Sequence, residues 1–155
     1  MASLRQHLIS RFKSETGAEL VEFAIIFPIL IVVFAAMIDF GFLMQRYEVV
    51  TNAAREGARI GVLPGYSIPD VQARVQTYLT ASGLTATVAP ASVTFSTQTL
   101  PSGLTVNVVQ VTVEYPSSFL LMAPFAGLIG GSAPGTVTLR GTSIMRIEQS
   151  GSGGS

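Results

Sequence analysis

The chain has 155 residues, enough for one small domain plus an anchoring segment but not for two independent cores. Hydrophobic residues make up 48% of it and charged ones only 12%, so either the core is unusually dominant or part of the chain resides in lipid. Nine basic and nine acidic residues cancel, which leaves no electrostatic footprint for nucleic acid, and the absence of cysteine excludes disulfides, thiolate catalysis and cysteine-based metal sites.

The first seventeen residues carry Arg5, Arg11 and Lys13. An uninterrupted apolar run then covers residues 23–38, reading FAIIFPILIVVFAAMI, and after Asp39 it resumes through Phe40, Gly41, Phe42, Leu43 and Met44. A helix crosses a hydrocarbon core of about 30 Å with roughly 20 apolar residues, and residues 23–44 supply them. The run is too long for a signal-peptide core, and no small-x-small cleavage site follows it, so the segment is expected to stay in the membrane. Basic residues flank it evenly, with Arg46, Arg55 and Arg59 on the far side, so charge alone does not orient it. Asp39 has two readings: a boundary residue at the far interface, or a polar contact between helices.

The junction before the run reads Ser14-Glu15-Thr16-Gly17-Ala18-Glu19-Leu20-Val21-Glu22-Phe23. A carboxylate at the mouth of a membrane helix carries a desolvation cost, so Glu22 either sits solvated among headgroups or has a partner. Were the chain cut after Gly17, Ala18 would carry a new ammonium, and Glu22 would share its helix face four residues on. Opposite charges about 4 Å apart attract by roughly 4 kcal/mol at an effective dielectric near 20. The amine of a neighbouring subunit would serve equally well.

This junction resembles the processing site of type IV prepilins and pseudopilins. More narrowly, the N-terminal third is similar to the TadE-like proteins of the tight-adherence (Tad, or Flp) pilus system. The resemblance rests on Gly17-Ala18-Glu19-Leu20-Val21-Glu22-Phe23-Ala24, on the helix with Pro28, on Ile38-Asp39-Phe40-Gly41, and on Asn52-Ala53-Ala54-Arg55-Glu56-Gly57-Ala58-Arg59. It covers residues 14–62. It implies a minor pilin or pseudopilin, cut by a prepilin peptidase between Gly17 and Ala18. Glu22, Phe23, Pro28 and Asp39 would then serve helix pairing during assembly. The implied partners are the inner membrane, the peptidase, the major Flp pilin, other minor pilins and the assembly platform, with the N-terminus cytoplasmic and the C-terminal domain periplasmic. Ala18 stands where many type IV pilins have Phe, which leaves N-methylation open.

Beyond Met44, apolar or small residues recur at Tyr47, Val50, Ala54, Ala58 and Val62, a helical spacing. A helix over residues 18–63 would be about 69 Å long and would project from the membrane as a stalk. Pro28 removes one backbone hydrogen bond and should kink the helix near Ala24, and Pro64-Gly65 ends the element. Ala53, Ala54, Gly57, Ala58 and Gly61 form a small-residue surface, suited either to seat the globular domain or to contact another subunit. Along the outward face, Asn52, Arg55, Glu56 and Arg59 include an i,i+3 pair, Glu56 with Arg59.

Residues 64–149 read as an exported α+β domain of one helix and three to four antiparallel strands. Ser67-Ile68-Pro69-Asp70 opens the helix, whose apolar face is Val71, Val75, Tyr78 and Leu79, and Ser82-Gly83 closes it. Val93 and Phe95 alternate as a strand, and Pro101-Ser102-Gly103 makes a turn. In residues 105–115 the apolar phase switches from Val106 and Val108 to Val109, Val111 and Val113, which predicts a bulge. A last strand carries Val137, Leu139, Met145 and Ile147. Between the strands, Phe119, Leu120, Leu121 and Phe125 belong to an apolar stretch too short and too broken to span a bilayer. It either folds into the core or forms an exposed patch for a partner. Residues 150–155, Ser-Gly-Ser-Gly-Gly-Ser, read as a flexible tail.

No catalytic constellation emerges. The single histidine, His7, lies in the leader, and Asp70, Glu114 and Glu148 are scattered through the domain. No enzyme activity, cofactor, metal or small-molecule substrate is therefore expected. The two functional readings are a structural minor pilin whose helix packs laterally in a filament, and a membrane-anchored binding module that never enters one.

Overall fold

The computed structural model describes residues 15–85, 89–128 and 135–147. Most of the basic leader, Glu148 and the Gly/Ser tail lie outside the described residues. Elements follow in the order α1 (Glu15–Gly61), α2 (Ile68–Ala81), β1 (Ser92–Thr99), β2 (Thr105–Ser117), α3 (Met122–Leu128) and β3 (Val137–Arg146). The chain therefore has a long apolar N-terminal helix, then a small domain with a helix and a three-stranded antiparallel sheet, as the sequence pattern predicts. Two compact units are distinguished: Met1–Phe40 with Leu120–Ala133, and Gly41–Phe119 with Pro134–Ser155.

Helix α1 continues through Pro28, so the missing N–H does not end it. Its last turn closes with Val62 N–H donating to the Ala58 carbonyl at 3.1 Å, just ahead of Pro64. Ser67 caps α2, and Asp70 reaches back to accept the Ser67 N–H at 2.9 Å, which satisfies donors the first turn leaves free. At the other end Gly83 adopts φ +82°, and Leu84 N–H donates to the Leu79 carbonyl at 2.9 Å. Both ends of α2 thus form where Ser67, Asp70 and Gly83 allow them.

The sheet order is β1-β2-β3. A tight turn joins the first two strands, with Gly103 at φ +81° and its N–H donating to Leu100 at 2.8 Å. Pairing between β1 and β2 runs without a break from Ser92 opposite Thr112 to Thr99 opposite Thr105, and between β2 and β3 from Val108 opposite Arg146 to Ser117 opposite Val137. The expected bulge is absent. The switch of phase has another cause: β2 is the central strand, so Val106 and Val108 are buried on the outer face even as Val109, Val111 and Val113 are buried on the inner one.

In the second unit the core joins Val50, Ala53, Ala54 and Ala58 of α1 to Val71, Val75 and Leu79 of α2 and to Val109, Val111, Val113 and Tyr115 of β2. Each fully buried Val or Leu contributes about 1.5–3 kcal/mol, which makes this layer the main source of stability. The small-residue surface is therefore the seat of the domain. A Cβ on Gly57 would stand 2.6 Å from Val75 Cγ2, and one on Gly141 would stand 2.8 Å from the Val50 carbonyl oxygen. Helix and sheet approach this closely only because those positions lack side chains.

Candidate assembly surface and its anchoring residues

Residues 17–30 of α1 are all exposed. The helix reaches a mean hydropathy of 2.8 over its most apolar stretch, so it is long and apolar enough to cross a membrane. Phe23, Leu20 and Phe34 stand more than half exposed, and the Phe23 and Phe27 rings meet with centroids 5.3 Å apart. Gly17 and Ala18 lie in the first turns of α1, with open space around Gly17. Glu22 is exposed one turn beyond Ala18, and its carboxylate has no ion-pair partner among the described residues. Pro28 is also exposed on this bare stretch.

Asp39 behaves differently. It is 3% exposed, and its carboxylate accepts the backbone N–H groups of Leu120, Leu121 and Met122. The distances are 3.0 Å from Leu120 and 2.7 Å from Met122, with Leu121 held by both oxygens. Asp39 therefore makes a polar contact with the chain entering α3. A carboxylate between two helices satisfies amides that the start of α3 leaves orphaned, and those amides replace the water it has lost. Hydrogen bonds to a charged group contribute about 1.5–3 kcal/mol each, enough to offset the roughly 2.5–3.5 kcal/mol that burying Asp in a membrane helix costs.

The apolar stretch after β2 is not part of the core. Leu120 is 62% exposed, Phe119, Leu121 and Phe125 are half-buried, and Met122–Leu128 forms the short helix α3. Within the first unit, Ile31 and Val32 are half-buried and Ala35 is buried, whereas everything from 17 to 30 is bare. Ile31, Ala35 and Asp39 fall four residues apart on one face, the face that α3 meets at Asp39.

The motif at residues 52–59 divides by direction. Ala54 and Gly57 face the core, while Asn52, Arg55 and Arg59 are exposed. Arg55 donates to Asn52 Oδ1 at 3.4 Å. Glu56 accepts from Arg59 at 2.7 and 2.8 Å, as the i,i+3 spacing predicts, and also from Arg74 of α2 at 2.7 Å. The hydrogen bonds from Arg59 and then Arg74 hold the Glu56 carboxyl down to about 2, and Glu56 in turn raises Arg59. A depressed carboxylate adds stability above its ordinary value of 4.5 and loses it as pH falls toward about 2. Both arginines are about half exposed, so screening reduces the contribution to roughly 1 kcal/mol. Glu56→Gln should flatten acid destabilisation across that pH window, measured as the denaturation midpoint at each pH; an unchanged pH profile would refute it.

Arg46 donates to Ser117 Oγ at 2.8 Å and to the Ser118 carbonyl at 3.2 Å, tying α1 to the end of β2. Arg140 pairs with Glu114 on the neighbouring strand. Sequence reading missed Arg46, Arg74 and the capping role of Asp39, since each partner lies at least 18 residues away in the chain. A depression of about 260 Å³ beside α2 is lined by Gln72, Gln76, Val75, Leu79, Ala91 and Val113, with no acid, base or nucleophile among those side chains. Among the described residues no group of three or more His, Cys, Asp or Glu is placed to hold a metal ion.

Residues 17–59 match the family model described as TadE-like protein, a match lying wholly within α1. No curated protein and no solved structure matches the chain significantly. The match covers the apolar helix and not the α+β domain, and among the described residues this helix alone is long and apolar enough to cross a membrane.

Proposed function

From this TadE-like segment we propose that the chain is a structural minor pilin or pseudopilin of a Tad-type adhesion pilus, without catalytic activity. The observation that carries the reading is a bare apolar helix face, residues 17–30, that begins at the Gly17-Ala18 junction and includes Glu22. Apolar helices in lipid associate by close packing and by polar contacts, and this face offers both. Prepilin peptidase would cut after Gly17, leaving the Ala18 ammonium beside Glu22 of the same or a neighbouring subunit. Other pilins and the assembly platform would then pack on α1, with the N-terminus of the precursor cytoplasmic and the α+β domain periplasmic or displayed on the filament.

Mass spectrometry of the native protein should find Ala18 as the first residue. Glu22→Ala should reduce incorporation into pili at least tenfold while the protein remains in the membrane fraction. An intact leader in assembled pili, or normal assembly of the Glu22→Ala variant, would contradict the proposal.

A further inference from the structure

We propose that residues 120–128 are embedded in the acyl region of the leaflet at the C-terminal end of the α1 span, as a short re-entrant wedge clipped to α1 by Asp39. The inference rests on reading α1 as a membrane span. The apolar stretch of α1 continues to Met44, so Asp39 stands about 8 Å inside its end. The covered face of α1 runs from Asp39 back to Ala35 and Ile31, about 12 Å toward the middle of the span, and α3 is about 10 Å long.

Chemistry and depth agree. The sequence Phe119-Leu120-Leu121-Met122-Ala123-Pro124-Phe125-Ala126-Gly127-Leu128 has no charged side chain and no hydrogen-bonding one. Leu120 and Pro124 are exposed, and in water they would be apolar surface without cover. Irregular backbone survives at membrane depth only where its polar groups are satisfied by protein. The entry to the wedge meets that demand, because the amides of Leu120, Leu121 and Met122 all donate to Asp39. Leaving the wedge for water would expose Leu120 and strip Asp39 of these donors. The occupant of the exposed face is therefore lipid acyl chain.

The chain lacks cysteine, so Leu120→Cys and Pro124→Cys, with Val33→Cys as a marker of the span, each provide one labelling site in the full-length protein. Each is labelled with a small environment-sensitive fluorophore and reconstituted in phosphatidylcholine–phosphatidylglycerol vesicles. Brominated acyl chains should quench the labels at 120 and 124 at least twofold, as they quench the label at 33. Aqueous iodide should quench the labels at 120 and 124 less than one tenth as well as it quenches a free dye. Iodide quenching at 120 and 124 with lipid quenching at 33 would overturn the wedge and leave the span standing. Lipid quenching absent at all three positions would overturn both. Lipid quenching at 120 that vanishes as the protein-to-lipid ratio rises tenfold would assign the face to a second copy of the chain and overturn the lipid assignment.

Discussion

Gly141→Ala should destabilise the second unit by about 3 kcal/mol, the upper part of the usual range for overpacking. The new methyl group would meet the Val50 carbonyl at 2.8 Å and the Thr51 backbone at 2.9 Å, and backbone inside a helix cannot rotate away. Strand β3 would have to lift off α1, opening the layer that buries Val50 and Leu139. Gly57→Ala is the graded comparison. Its methyl would meet side-chain atoms of Val75 and Val111, and alanine recovers up to about 1 kcal/mol of helix propensity. A net loss nearer 1 kcal/mol is expected there. For a domain of this size 3 kcal/mol lowers the melting temperature by at least about 12 °C, readable by circular dichroism of the detergent-solubilised chain. Should Gly141→Ala melt within a few degrees of the parent, the close approach of β3 to α1 is wrong.

Asp39→Ala should release α3 without unfolding the sheet. The change removes a charged acceptor from three amides, and about 3 kcal/mol of local stability should go with it. That corresponds to about a 150-fold rise in the open population of the segment. Hydrogen exchange at the Leu120, Leu121 and Met122 amides should accelerate by about that factor, while exchange at Val109 and Val111 of β2 stays as in the parent. Asp39→Asn keeps one carbonyl acceptor and should fall between the two. Equal acceleration at β2 would mean that Asp39 supports the whole fold rather than α3. No acceleration at 120–122 would remove the cap itself.

How far the sequence reaches depends on the range of the interaction. Ser67, Asp70 and Gly83 bound α2, and Gly103 turns the hairpin, because caps and turns are satisfied within a few residues. The Glu56–Arg59 pair was legible for the same reason, being one helical turn apart. The phase switch in β2 was visible as well, but its cause was not. Central β2 buries side chains on both of its faces, and strand order is not encoded in the alternation of one strand. In the candidate site the apolar face with Gly17, Ala18 and Glu22 could be read directly. The Asp39 cap and the third member of the Glu56 cluster, Arg74, could not.

By itself the sequence determined a lipid-compatible rod, its acidic mouth, the small-residue seat and the elements of the domain, since composition and period set which surfaces avoid water. Only the tertiary structure decided that Asp39 is a cap 81 residues from Leu120, that Gly141 lies against the Val50 carbonyl, and that β2 is central. The physical reason is that a carboxylate, a glycine and a valine each have several satisfactory environments. Chain closure over long separations selects one of them, and no local pattern records which.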